Sequence, residues 1–267
     1  MSDKAVLLQI VDGVATITLN EPKRLNALSA ALIDELNEAL DVCSEDPSLR
    51  AMILTANGRG FCSGADLSVK GGSSKDGHAR GEATRQSMHN RLNPIVKKIL
   101  NLPIPTIAAI NGVAAGGGYG LALSCDLVIA AESAEFILVF TPQLGLIPDI
   151  GASWHAPRAM GRAKAMALTF FGDRMKAPDA VDSGLIWKAV PDEELMTEAN
   201  AVAAKLSKGP TRAYSQVRKV FDLAAQNTLH EHLDLEAETQ PALIATDDFI
   251  EGARAFMQKR KPDFKGS

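Results

Sequence analysis

Apolar and polar positions along the chain separate into short β-rich runs, helical spacings and glycine-rich turns. Val6 to Val11 and Val14 to Leu19 are two β-rich runs joined by Asp12-Gly13, the dipeptide of a tight turn, and predict an opening hairpin. Ser29 then stands as an N-cap before Leu32, Leu36, Ala39, Leu40 and Cys43, which recur at helical spacing, and a strand is predicted from Ala51 to Ala56. A glycine, serine and charge cluster, Gly71 to Gly81, reads as a loop of the kind that borders ligand sites. The spacing of Met88, Leu92, Ile95, Val96 and Ile99 predicts a helix, and buried-strand patterns follow at Thr106 to Ile110 and Leu127 to Ala131. Strands alternating with helices argue for parallel pairing and right-handed crossovers, an α/β fold. Beyond Pro191 only helices are predicted, over 193–207, 211–226, 228–245 and 247–259, so the chain divides into 1–191 and a helical region, 192–267. With few residues per helix for a core of their own, these helices are expected to pack on a neighbouring subunit.

Composition narrows the partners. The 267 residues are 46% hydrophobic and 22% charged, close to ordinary globular proteins. The net charge is −4, from 28 basic and 32 acidic residues, and no basic run interleaves with aromatics, so nucleic acid is not an expected partner. Cys43, Cys62 and Cys125 are odd in number and widely spaced, which favours neither a disulfide framework nor a zinc site and fits a reducing cytoplasm. The first apolar run is too short for a signal peptide and no later one reaches membrane-spanning length, so a soluble, cytoplasmic protein without a membrane partner is expected.

The chemistry concentrates around two turns. "NGVAAGGGYGLALSCD", Asn111 to Asp126, lacks the lysine of a phosphate-binding P-loop, and a dinucleotide fingerprint would need glycine where Leu121 stands. Two alternatives remain: close packing of helix on strand, or a side-chain-free turn into a helix whose free N–H groups bind an anion. "GRGFCSGADL", Gly58 to Leu67, follows the strand ending at Ala56 and has the same character. Two such turns after parallel strands can aim two backbone N–H groups at one point, which is the construction of an oxyanion hole.

The segments "FCSGADL", "AAINGVAAGGGYGLALSCD", "LGLIPD" and "GARAFMQKRKPDF" resemble the signatures of the crotonase (enoyl-CoA hydratase/isomerase) family, and the likeness runs from the first hairpin to the last helix. The resemblance implies a spiral of ββα units with a C-terminal helical region used for trimer formation, as a homotrimer or a dimer of trimers. It implies acyl-CoA thioester substrates, with coenzyme A as part of the substrate and neither separate cofactor nor metal. It places Ala65 and Gly117 as the donors to the thioester oxygen. It puts Lys23, Arg24, Ala65, Asp66, Leu67, Phe256 and Lys259 along the coenzyme, the last two reaching a neighbouring subunit's ligand.

Hydratases resembling this chain carry two glutamates, one in the glycine-rich helix and one after the following strand. Here Gly120 occupies the first position and "FILVFTPQLGLIP", Phe136 to Pro148, holds no acid at all. Asp149, in "LGLIPDIGASW", matches the aspartate of family members that shift double bonds, and the run is most similar to those acting on ring-epoxidised phenylacetyl-CoA. One carboxylate suffices for a 1,3-proton shift. Leu146, Ile147, Ile150 and Trp154 are expected to surround Asp149 with apolar surface and raise its pKa. The structural alternative is a cap on the helix starting near Ile150. Asp66 and Asp126 read as structural caps or strand-end acceptors and Glu132 and Glu135 as solvated. "GASWH" lacks the final glycine of a nucleophile elbow at Ser153, and Cys62 has no evident histidine partner. The expected activity is that of an acyl-CoA isomerase, with a hydratase or a non-catalytic acyl-CoA-binding homologue as alternatives.

Overall fold

The computed structural model describes residues 4–66 and 76–267. Strands β1 (Val6–Val11) and β2 (Val14–Leu19) pair antiparallel with Val11 opposite Val14. Asp12 and Gly13 both have positive φ, 50° and 74°, the backbone twist a two-residue hairpin requires. Helix α1 (Ala30–Glu45) begins where Ser29 accepts the Leu32 amide at 3.1 Å, and it buries Leu32, Leu36, Ala39, Leu40 and Cys43 as their spacing predicts. Strand β3 (Ala51–Ala56) is buried along its whole length.

The chain then repeats one step three times: a long strand in the main sheet, a short strand in a second sheet, then helix. The pairs are β3 with β4 (Gly60–Cys62), β5 (Thr106–Ile110) with β6 (Val113–Ala115), and β7 (Leu127–Ala131) with β8 (Glu135–Ile137). The main sheet has the order β1-β2-β3-β5-β7-β10, where β10 is Lys188–Val190, and is parallel from β2 onward. The second sheet has the order β4-β6-β8-β9, with β9 (Arg174–Lys176) antiparallel at its edge. This is the spiral of ββα units expected from the sequence. The short strands fix the site, because Cys62 pairs with Ala114 and Ala114 with Phe136, so the turns leaving β4 and β6 emerge side by side.

Helix α2 (Gly77–Ser87) occupies part of what was expected to be loop: Asp76 caps it by accepting the His78 amide at 2.9 Å, and Arg85 pairs with Glu82 on its exposed face. A π-helical turn, Met88–Leu92, joins it to α3 (Asn93–Asn101). Leu67 and residues 71–75 lie outside the described residues. Helix α4 (Gly117–Leu123) follows β6; α5 (Phe140–Leu144), α6 (Ala152–Met160), α7 (Arg162–Phe171) and α8 (Ala177–Asp182) complete the first part.

The last part is helical as predicted: α9 (Leu195–Leu206), α10 (Thr211–Ala224), α11 (Leu229–Ile244) and α12 (Asp247–Met257). Helix α9 belongs to the core, burying Leu195, Ala199 and Ala203 against β3, β5 and β7. Helix α10 is anchored by Arg218, whose guanidinium donates to Asp126 and to the carbonyls of Leu100, Leu102 and Ile104 at 3.0, 2.6 and 2.8 Å. Asp126 also accepts the Thr106 amide at 2.8 Å, the strand-end role expected of it.

Candidate active site

The first turn is held by the segment that precedes α1. The Ser63 amide donates to Leu25 at 3.0 Å and the Leu28 amide to Gly64 at 2.8 Å, while the fully buried Asn26 side chain accepts from Glu21 and donates to Asn57 and Gly60. Gly64 is left-handed at φ 88°. A Cβ built on it would lie 2.9 Å from the Ala115 carbonyl and 3.0 Å from the Gly117 nitrogen, so only glycine lets the two turns touch. Ala65 follows at once and is exposed. The Ala65 and Gly117 amides, on the two touching turns, donate to no protein acceptor among the described residues. Two N–H groups without a protein acceptor, on adjoining turns, are available to an oxygen that gains negative charge.

Packing holds α4 in place. A Cβ on Gly118 would meet the Cys62 carbonyl at 2.2 Å, so the glycine cluster lets α4 pack closely on the first turn. Complete burial pushes the Cys62 thiol up to about 12, which removes it as a nucleophile.

Asp149 lies between α5 and α6, half-buried, and burial raises its carboxyl above the ordinary aspartate value. It forms no ion pair with any described residue. Nor does its side chain cap α6: that helix starts at Ala152 behind Gly151, without a side-chain cap, and only the Asp149 backbone carbonyl accepts the Ala152 amide. The expected apolar surround is corrected in part. Leu146 and Trp154 are exposed and Ile147 is 80% exposed, because the chain between α5 and Asp149 runs over the surface; of the four residues named, Ile150 alone is buried.

Sequence reasoning named Ile150 only as apolar surround and missed its backbone conformation and its packing on α4. It and Gly151 both have positive φ, 48° and 79°, and a β-branched residue in that region is an outlier that costs about 1–3 kcal/mol. Its Cδ1 lies 2.5 Å from where a Gly117 Cβ would be, beside Leu28 Cδ1 at 2.9 Å. Its carbonyl oxygen lies 2.1 Å from where a Gly120 Cβ would be, and the Ala152 nitrogen 3.1 Å away. The absent carboxylate at position 120 therefore has a physical reason: the Asp149–Gly151 turn stands in its place. A glycine in the interior of an otherwise apolar helix was the available signal of such an approach.

The residues expected along the coenzyme are scattered over the surface. Lys23 and Arg24 sit exposed in a 3₁₀ turn, and Arg24 pairs with Asp66, whose side chain is nearly covered. Phe256, 83% exposed, and Lys259, at φ 52°, lie at the end of α12, away from the packed interior. A separate cavity of about 810 Å³ opens at the other end of α4, lined by Leu123, Trp154, His155, Arg158, Arg218 and Phe221 among others; Ala65, Gly117 and Asp149 do not line it. Burial there lowers His155 to about 4, so its imidazole is neutral.

Comparison with known proteins agrees with this architecture. The chain is 42% identical over its full length to a protein of Rhodobacter capsulatus named probable enoyl-CoA hydratase, all of which is covered. It is 40% identical, over 98% of both chains, to the 1,2-epoxyphenylacetyl-CoA isomerase of Escherichia coli. The crystal structure of an enoyl-CoA hydratase from Bacillus anthracis superposes with a TM-score of 0.90 at 34% identity, covering 98% of this chain and 100% of that one. Residues 9–267 match the family model described as enoyl-CoA hydratase/isomerase. With the spiral, the paired turns and the whole-length likeness in agreement, the chain belongs to the enoyl-CoA hydratase/isomerase family.

Proposed function

We propose that the chain is an acyl-CoA isomerase that shifts a proton, and with it a double bond, through a thioester enolate. Its substrate is an unsaturated acyl-CoA or ring-1,2-epoxyphenylacetyl-CoA, the latter suggested by the name of the Escherichia coli relative. Coenzyme A enters as part of the substrate, and no separate cofactor or metal is invoked. On a 3-enoyl-CoA, the Asp149 carboxylate takes a proton from the carbon next to the thioester. The electron pair moves onto the thioester oxygen, where the Ala65 and Gly117 amides receive the charge. The proton then returns to the fourth carbon, leaving the double bond next to the carbonyl. Each preorganised donor contributes on the order of 3 kcal/mol to such a barrier.

The observation that carries this proposal is the packing of the Asp149 turn on Gly120. Hydration calls for a second carboxylate to handle water, and the Ile150 carbonyl fills the space where one would begin. Lys23, Arg24, Asp66, Leu67, Phe256 and Lys259 are proposed along the coenzyme, with the Arg24–Asp66 pair bordering the Ala65 turn. A homotrimer, alone or paired, is proposed to cover Phe221, Leu229, Leu233, Phe256 and Met257, all exposed on α10–α12. Light scattering giving the mass of a single chain would remove that part.

The test is an activity panel of 2-enoyl, 3-enoyl and ring-epoxidised aromatic acyl-CoAs. Turnover of a 3-enoyl or ring-epoxide substrate with near-background hydration of crotonyl-CoA is expected. Substantial hydration would instead support the activity in the Rhodobacter relative's name, and binding without turnover of any acyl-CoA would leave a binding protein.

A further inference from the structure

We infer that Ile150 is a positioning residue, which locks the proton-transferring carboxylate to the oxyanion donor by packing its side chain on Gly117 while its own carbonyl docks on Gly120. The inference rests on Asp149 being the base. It arises from two contacts and the backbone conformation of one residue. The side chain, buried at 6% exposure, ends at the helix residue that presents the donor. The carbonyl sits against the same helix one turn further on, at Gly120. The peptide between the two is held left-handed, a conformation that isoleucine does not adopt for local reasons. No described side chain donates to the Asp149 carboxylate and no cation pairs with it; it accepts from its own backbone amide, so its direction is set by the backbone of the turn that Ile150 anchors. Strain of this kind persists only where the surroundings over-determine it, and here the surroundings are the donor helix itself.

The consequence is specific. Loosening Ile150 leaves substrate binding intact but spoils the alignment of base and donor, so the loss falls on kcat rather than KM. The experiment compares four variants with wild type on a 3-enoyl-CoA, reading kcat, KM and Tm. Ile150→Gly relieves the left-handed strain and removes the side chain; Ile150→Val removes only Cδ1 and guards against a folding failure in the first. Ile150→Leu keeps the apolar reach and serves as the rescue, and Asp149→Asn is the reference. Ile150→Gly is expected to lose about 10- to 100-fold in kcat with KM within about threefold of wild type. Ile150→Val should show a smaller loss in the same parameter, and Ile150→Leu should keep kcat within about threefold. The inference is overturned if Ile150→Gly and Ile150→Val hold wild-type kcat while Asp149→Asn is inactive, or if their loss appears in KM alone. If Asp149→Asn itself keeps wild-type kcat, the assignment of the base falls first and this inference falls with it.

Discussion

Replacing Gly120 by alanine adds one methyl group to α4, aimed at the turn that carries Asp149. That methyl would lie 2.1 Å from the Ile150 oxygen, 2.9 Å from the Ile150 carbonyl carbon and 3.1 Å from the Ala152 nitrogen. Ordinary contact begins at 3.4 Å, so the turn has to retreat by about 1.3 Å, and the obstructing atoms are backbone that cannot rotate aside. Overpacking of this order costs about 1–3 kcal/mol of stability. A catalytic group displaced by about 1 Å loses roughly 10²-fold in rate, equivalent to about 2.7 kcal/mol in the barrier. Gly120→Ala should therefore lower Tm by several degrees and kcat on a 3-enoyl-CoA by roughly 10²-fold. Gly120→Glu restores a carboxylate to the glycine-rich helix, yet it should gain no hydration of crotonyl-CoA, since its first side-chain atom meets the same carbonyl. Thermal denaturation alongside both kinetic assays checks these outcomes. Wild-type kcat and Tm in Gly120→Ala, or an efficient hydratase from Gly120→Glu, would refute the steric argument.

Three further outcomes follow from the burial of charge. As the proposed base, Asp149 must be ionised to accept a proton, and burial raises its pKa above 3.8, so the acid limb of kcat/KM should lie above the ordinary aspartate range. The same raised pKa means the folded state binds the proton more tightly than the unfolded one, so the group favours folding below pH 3.8 and disfavours it as pH rises through the folded value. Asp149→Asn should thus melt at a higher temperature than wild type at pH 7, with the gap closing towards acid; a lower Tm at pH 7 would contradict it. Arg218→Ala removes a side chain, 9% exposed, that joins Asp126 to three backbone carbonyls, and it should cost about 3–5 kcal/mol in denaturant unfolding with α10 released first; a cost below about 1 kcal/mol would show the anchor to be idle.

Much of the fold was legible because its long elements carry strong periods. The hairpin over Asp12-Gly13, α1 behind Ser29, β3, β5, β7 and the four final helices lie where their patterns place them. The second sheet was not legible: β4, β6, β8 and β9 are each three residues long, too short for alternation to register, and they form because the longer strands bring them together. Helix α2 was hidden by glycines and charges that no core constrains, its cap at Asp76 being the one local sign. At the candidate site, the two glycine-containing turns were legible as turns, and the structure brings them side by side. The left-handed conformation of Ile150 was not legible, because it goes against isoleucine's own local preference and is imposed by packing between α4 and α6. The same packing explains why Gly120 stands where a hydratase-like helix would carry an acid.

The most direct measurement of the central claim is hydrogen exchange at the carbon next to the thioester, followed by NMR for an acyl-CoA incubated in D₂O with the full chain. Wild type should exchange that hydrogen, and Asp149→Asn should slow the exchange by roughly 10²- to 10⁴-fold while still binding the thioester. Equal exchange rates in the two proteins would contradict the assignment of Asp149 as the base, and the absence of exchange in wild type with every acyl-CoA that binds would contradict the enolate itself.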